Sequence, residues 1–457
     1  MRLLREFDQR DFAAVGRELH GFAAELYPIC RSITGNGVRQ TLDAIRSRIP
    51  LRLSEVPTGT RVLDWIVPKE WNIREAYIAR HGGERIVDFK TCNLHVLNYS
   101  VPIRAVMSLA DLRHHLFTLP EHLDWIPYRT SYYKENWGFC LSHNQMVALD
   151  EGEYDVLIDS QLEDGHLTYG ECYLPGRSMD EVLISCHVCH PSLANDNLSG
   201  LTVATYLAHL LCGRDLRYSY RFVFLPGTIG AITWLARNRE VVGRIRHGLV
   251  LTCLGDAGGF HYKKSRLGSA EIDRAAAHAL KHCGEAAEIL EFSPYGYDER
   301  QYCSPGFNLA VGCLMRSLWG TFPEYHTSAD NLDFIRPDKL AGAARICATI
   351  LDVLEANRCY RNLTPYGEPQ LGRRNLYSST GGDAISVETN ALLWVLNQSD
   401  GQRSLLDIAE RSNLPFAALS DAAELLLQNG LLEELLSATS AEEMAGPETS
   451  YENTLQR

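Results

Sequence analysis

From Glu181 onward the chain alternates apolar runs of strand length with amphipathic runs of helix length, and this alternation restricts the fold more than any other feature. The strand candidates are "VLISCHV", "YRFVFLP", "HGLVLTCLGD" and "LAVGCLMRS", and the helix candidates are 199–213, 228–244, 270–282 and 337–356. Such a pattern predicts an α/β unit, a sheet with helices on its faces. Upstream, Phe12, Val15, Leu19, Phe22 and Leu26 recur at helical spacing before Pro28, and "CRSITGNGVRQTLDAIRSRIP" reads as a turn followed by a second helix that stops at Pro50. From 62 to 176 the texture changes to short β-rich, aromatic-rich runs such as "DWIVP", "TCNLHVLNYSVPI" and "HLTYGECYLPG". The expected organisation is therefore a main α/β unit from 1–61 and 177–360 with a small β-rich domain, 62–176, inserted into it. A loop rich in Asn, Pro, Gly and Ser makes 361–383 a linker. Residues 384–436 have the rhythm of a winged helix-turn-helix, and the polar tail 437–457 is expected to be disordered.

Charge narrows the partners. The chain carries 44 basic against 57 acidic residues, a formal net charge of -13. Binding to a phosphate backbone needs a basic face, so no nucleic-acid partner is expected. The N-terminal stretch "MRLLREFDQRDFAAVGRELHGFAAELYP" lacks the apolar core of a secretory signal, and no apolar run approaches the about 20 residues of a membrane span. A cytoplasmic protein without a membrane partner is the expectation. Thirteen scattered cysteines fit reduced thiols better than a disulfide framework.

Chemistry concentrates in "LISCHVCHPSLANDNLSG". A β-branched run places His187 at the carboxyl end of a strand, where open α/β sheets hold their ligands. Asp196 follows nine residues later, directly before the Ser199 and Gly200 that open the next helix. Imidazole and carboxylate are zinc ligands, and catalytic zinc takes about three protein ligands plus an open position. The asparagines would shape the turn and orient the ligands. The same segment can also be read as a helix cap beside a hydrogen-bonded histidine. A second stretch, "FPEYHTSADNLDFI", places His326 in a loop before the long helix, with Glu324, Asp330 and Asp333 close in sequence. Together His187, Asp196 and His326 form a His/Asp/His set on three loops of one sheet edge.

These segments resemble the zinc aminopeptidase superfamily. More narrowly, "YPICRSITGNGVRQTL", "KEWNIREAYI", "NLHVLNYSVP", "YYKENWGFCLS", "HVCHPSLANDNLSG", "YDERQYCSPGFNLAVG" and "EYHTSADNL" are similar to a bacterial aminopeptidase-like family with an inserted β domain and a C-terminal winged helix, often found among polysaccharide and natural-product biosynthesis proteins. The resemblance implies an aminopeptidase-like (phosphorylase/hydrolase-like) mixed sheet with helices on both faces. It makes His187 the first zinc histidine, Asp196 the carboxylate that bridges two zincs and His326 the final zinc histidine. It also makes Asp298 to Arg300 part of the loop framing the substrate pocket. Where that superfamily carries a Glu-Glu pair, one the general base and the other a zinc ligand, this chain has "LPGTIG", with Gly227 and Thr228. The usual aspartate of the following strand is replaced by Thr252, with Asp256 a few residues on.

Three outcomes follow from these departures. One zinc held by His187, Asp196 and His326 could activate water, with Glu299 or Glu324 as substitute acid/base groups. Asp256 or His190 could complete an altered site. Or the fold could serve binding alone. The first is the expectation: a zinc-dependent amide-bond hydrolase acting on a peptide or an amide-containing small molecule, with formation of a homo-oligomer left open. Cys186 and Cys189 have redox or zinc-knuckle spacing but are expected to pack in the core. The helix "FAALSDAAELLLQNG" of the winged unit carries no Lys or Arg, so docking to protein is expected there rather than DNA contact.

Overall fold

The structure, a computed structural model, describes residues 3–376 and 386–435. These fall into two compact units, divided between Asp352 and Val353. The expected tail, 437–457, and residues 377–383 of the expected linker lie outside the described residues.

The first unit is built on an eight-stranded sheet. Its strands are β1 (Arg52–Pro57), β2 (His166–Leu174), β3 (Glu181–His187), β4 (Ser219–Leu225), β5 (Ile245–Leu251), β6 (Phe260–Lys263), β7 (Ala287–Leu290) and β8 (Val311–Met315), in the order β1-β2-β4-β3-β5-β8-β6-β7. β3 runs parallel to β4 and β5, with Ser185 opposite both Val223 and Val250, and β8 continues the parallel run beside β5. β2 and β6 are antiparallel to their inner neighbours β4 and β8, which makes the sheet mixed. Every residue of β3 and β4 is buried. Strands covered on both faces have no solvent side, so "EVLISCH" and "SYRFVFL" read as nearly continuous apolar runs. The helix Ile229–Arg237 packs through Ile229, Ile232 and Leu235 into a cluster that includes Leu183, Val223 and Val250. The charges in these strands are paired where they are buried: Arg221 Nε donates to Glu181 at 2.6 Å and its Nη1 to Glu171 at 2.6 Å, while Trp234 Nε1 donates to Glu171 at 2.7 Å.

β4 lies on one side of β3 and β5 on the other, so successive connections leave the central strand in opposite directions. This arrangement opens a crevice at the carboxyl ends of the strands, and His187 ends β3 there.

A separate four-stranded antiparallel sheet runs in the order Arg85–Asp88, Glu70–Arg80, Glu153–Glu163, Ile103–Ser108. It has its own core, which includes Ile78, Val87, Tyr154, Val156 and Ile158. The expected insertion boundaries need adjusting, because β2 lies within 62–176 yet pairs with β1 and β4 of the main sheet. "HLTYGECYL" has the same β texture as its neighbours, and local pattern does not record which sheet a strand joins. The expected helices differ in detail as well. The 228–244 helix breaks at Asn238 into Ile229–Arg237 and Arg239–Val242, whereas Pro337–Ala356 matches its expected bounds.

The second unit holds three helices, Val387–Gln398, Leu405–Ser412 and Phe416–Gln428, and a three-stranded sheet ordered Asp400–Ser404, Cys359–Asn362, Leu432–Leu435. The central strand, Cys359–Asn362, straddles the expected boundary of the main unit and linker at 360. At four residues it is too short to show a period. Ser386 and Ser404 cap the first two helices through side-chain bonds to backbone N–H groups. Among the described residues no helix is long and apolar enough to cross a membrane.

Candidate metal centre

His187 closes β3 and is 3% exposed. The chain then loops to the irregular turn Ala194–Ser199, in which Asp196 and Asn197 depart from helical geometry before the helix Gly200–Leu211 begins. Buried polar groups must find partners, and this turn finds them. The Asp330 carboxylate accepts the backbone N–H of Asn195 at 2.5 Å and that of Asp196 at 3.0 Å. Asn195 Nδ2 donates to Asp256 at 2.8 Å, and Asn197 Nδ2 donates to the Leu251 carbonyl at 3.0 Å. Held this way, the fully buried Asp196 side chain meets two imidazoles from different elements: His187 Nε2 lies 2.9 Å from Oδ1, and His326 Nε2 lies 3.0 Å from Oδ2.

The structure thus brings together all three residues of the expected metal set. It adds His190, whose Nε2 is 4.0 Å from Asp196 Oδ2. The ligand atoms of His187, His190 and Asp196 all lie within 4.8 Å of one another. Ligands in a tetrahedral zinc shell are separated by about 3.3 Å, given metal–ligand bonds of about 2.0–2.1 Å. The spacing of up to 4.8 Å among His187, His190 and Asp196 is compatible with that value, so these three donors fit zinc in chemistry and approximate size, while His326 joins the cluster through the other side of the carboxylate, 3.0 Å from Asp196 Oδ2.

Electrostatics agree with that fit. Burial alone would push the Asp196 carboxyl up, but His190 and the hydrogen bonds from His187 and His326 outweigh it and hold it well below the usual carboxylate range. Burial pushes His190 down to about 3, which keeps a nitrogen lone pair free. Aromatic rings fence the cluster. Tyr297 stacks on His187 at a centroid distance of 5.1 Å, Tyr325 stacks on His326 at 4.0 Å, and Tyr128 meets both His190 and His326 edge-on at 5.2 Å. The Tyr128 N–H also donates to the His326 carbonyl at 2.8 Å. Tyr128 comes from the inserted segment, and nothing in its local sequence marks it. Three non-glycine residues in these loops, Ser192, Cys253 and His326, hold φ values of 42°, 49° and 57°. That left-handed backbone costs about 1–3 kcal/mol at each position.

Other sequence candidates fall elsewhere. Glu299 is fully buried, and its Oε1 accepts from Lys263 Nζ at 2.7 Å, so the carboxylate serves an internal ion pair rather than the histidines. Glu324 supplies its backbone carbonyl to Thr327, and its half-buried side chain bonds to none of the ligand candidates. Asp256 is occupied behind the turn, accepting from Ser317 Oγ at 2.6 Å, Gly258 N at 2.7 Å and Asn195 at 2.8 Å. It therefore does not complete the site. Cys186 and Cys189 are 1% and 2% exposed, and burial raises both thiols, Cys189 to about 12, as suits core residues. All thirteen cysteines are free. One neighbour gains prominence: Asp298 is 3% exposed, and burial pushes its carboxyl up to about 7 against the pull of His187.

Comparison with known proteins places this geometry in context. Residues 20–357 match a family described as a domain of unknown function, DUF4910, and residues 358–434 match a winged helix-turn-helix family. The latter match includes the strand Cys359–Asn362, in agreement with the fold. A protein of Clostridium acetobutylicum, provisionally named a polysaccharide biosynthesis protein with an aminopeptidase-like domain, is 50% identical over 419 residues, covering 92% of this chain and 96% of its own. A crystal structure from the same organism, provisionally described as a peptidase, is 48% identical with a TM-score of 0.90, covering 94% of this chain and all of that one. At the level of fold alone, the chain resembles a zinc aminopeptidase of Bacillus subtilis, 12% identical with a TM-score of 0.53 over 75% of this chain and 95% of that one. It likewise resembles a peptidase M28 precursor of Shewanella amazonensis, 14% identical with a TM-score of 0.53 over 77% of this chain and 96% of that one. The chain belongs to the DUF4910 family, an aminopeptidase-like α/β fold followed by a winged helix-turn-helix.

Proposed function

We propose that the protein is a zinc-dependent hydrolase of an amide bond, with His187, Asp196 and His326 as metal ligands and His190 beside them. The observation that carries this reading is the buried Asp196 carboxylate, each of whose oxygens is met by the Nε2 of a histidine from a different element. Zinc at this cluster would supply Lewis-acid polarisation of the scissile carbonyl. The chain's own residues do the rest. Asp330 and Asn195 fix the turn that presents Asp196, and Tyr297, Tyr325 and Tyr128 hold the imidazole planes by ring contact. The name of the Clostridium acetobutylicum relative favours an amide on a polysaccharide-biosynthesis intermediate over a general peptide diet. The reading includes no nucleic-acid partner, since the helix Phe416–Gln428 carries neither Lys nor Arg.

A second reading, a binding protein without catalysis, is favoured by Gly227 and Thr228 at the positions where the resemblance implies glutamates. Metal analysis of protein purified without added zinc, beside a His187→Ala variant, separates the two. The hydrolase reading predicts near-stoichiometric metal that the variant loses. Absence of metal from both proteins, even after zinc is supplied, sinks it.

A further inference from the structure

Gly227 follows β4 and faces the cluster: a Cβ built on it would lie 3.2 Å from the Cβ of His187. The same Cβ would lie 3.4 and 3.5 Å from the two carboxylate oxygens of Asp298. A side chain at 227 would therefore point into space that the Asp298 carboxylate already borders from a different element. The adjacent position is served in the same way, because Arg300 Nη2 lies 3.3 Å from Thr228 Oγ1. Two consecutive positions that lack acidic side chains are thus met by two polar side chains from one turn, residues 298 and 300.

The turn is anchored on both sides of Asp298. Tyr297 stacks on the His187 ring at 17° between planes, and its hydroxyl lies 3.3 Å from Cys253 Sγ. Glu299 is pinned by Lys263, which also donates to the Tyr295 carbonyl at 2.7 Å. Asp298 itself is different. Its neighbours Asp196, Asp256 and Asp330 each accept hydrogen bonds, whereas no described residue donates to the Asp298 carboxylate. The Asp298 carboxylate, 3% exposed and without a donor among the described residues, is thus left for water or a bound group to meet.

We propose that Asp298 is the proton-transfer carboxylate of this site, delivered from the 298–300 turn into the place vacated at Gly227. The proposal rests on the hydrolase reading above. In the step it implies, a water at the His187/Asp196/His326 cluster adds its oxygen to the amide carbonyl carbon while one of its protons passes to the Asp298 carboxylate. Asp298 then hands that proton to the amide nitrogen as the C–N bond breaks, which yields a carboxylic acid and an amine and returns Asp298 to its starting form. Arg300 and Thr228 position the turn and take no proton.

Acetohydroxamic acid tests this without knowledge of the natural substrate, because it chelates zinc as an anion and must leave its proton somewhere. Calorimetry in buffers of different ionisation enthalpy is run on the zinc-loaded full chain as wild type, Asp298→Asn and His187→Ala. Zinc titration of the metal-free proteins is run alongside. The proposal predicts that Asp298→Asn binds zinc within about threefold of wild type. It also predicts that this variant binds acetohydroxamate at least about tenfold more weakly, the loss of one charge-assisted hydrogen bond. Wild type should retain the ligand's proton, and Asp298→Asn should release it to buffer. Unchanged acetohydroxamate affinity and proton release in Asp298→Asn overturn the role of Asp298 and leave the metal site standing. Loss of zinc from Asp298→Asn equal to that from His187→Ala also overturns it, by making Asp298 a structural support of the cluster. If wild type takes up no zinc, the hydrolase reading itself fails, and the proposal fails with it.

Discussion

At the scale of single residues, the site is a set of buried polar groups that satisfy one another, and the weight falls on Asp330. Its carboxylate holds two backbone N–H groups of the Asp196 turn, and its own backbone carbonyl accepts from Ala194. Replacing it with alanine leaves two buried donors without an acceptor, so Asp330→Ala is expected to lower stability by about 2–4 kcal/mol. Groups that orient metal ligands also tune their affinity, and the same variant should bind zinc about 10–100-fold more weakly. Urea denaturation and zinc titration of the full chain check both, and wild-type behaviour in each would show that the turn does not depend on Asp330. Residue types and spacing made His187, Asp196 and His326 legible, because a strand end, a helix entrance and a loop histidine each leave a local mark. Glu299 carries no comparable mark, because its partner Lys263 lies 36 residues away and nothing local announces a buried ion pair. Asp298 could be read only as part of a pocket frame, since its relation to Gly227 exists only in the folded chain.

At the scale of elements, the parallel strands were legible and their partners less so. "EVLISCH" and "SYRFVFL" announce themselves because both faces are covered, whereas β2 reads like the inserted sheet beside it although it pairs with β1 and β4. The inserted segment carries its own pH sensitivity. His95 is 4% exposed, its Nδ1 lies 2.8 Å from the Cys140 carbonyl, and burial, outweighing that carbonyl, holds its imidazole below the usual range. The unfolded chain takes up a proton near pH 6.5, while the folded chain resists it to lower pH, so the unfolded state binds more protons between those values. Stability should therefore fall as the pH drops below about 6.5 and keep falling until the folded-state pKa is passed. His95→Asn, which cannot titrate, should flatten that part of the profile in denaturant melts of the full chain. An unchanged slope would assign the acid sensitivity to other groups.

At the scale of the whole molecule, the chain joins an aminopeptidase-like unit to a winged unit, and this division follows composition more closely than the exact boundaries do. The Pro/Gly-rich stretch begins only after Asn362, whereas the units divide between Asp352 and Val353 and the winged sheet begins at Cys359. The crossing of connections at β3 gathers His187, Asp196 and His326 from distant sequence at one end of the sheet, and the proposed metal centre rests on that gathering. Crystals of the zinc-loaded protein, with anomalous scattering recorded on either side of the zinc edge, test that claim most directly. The account predicts an anomalous peak bonded to His187, Asp196 and His326 at about 2.0–2.2 Å. A fully loaded protein with no peak among these three residues, or with its zinc bound elsewhere in the chain, would contradict it.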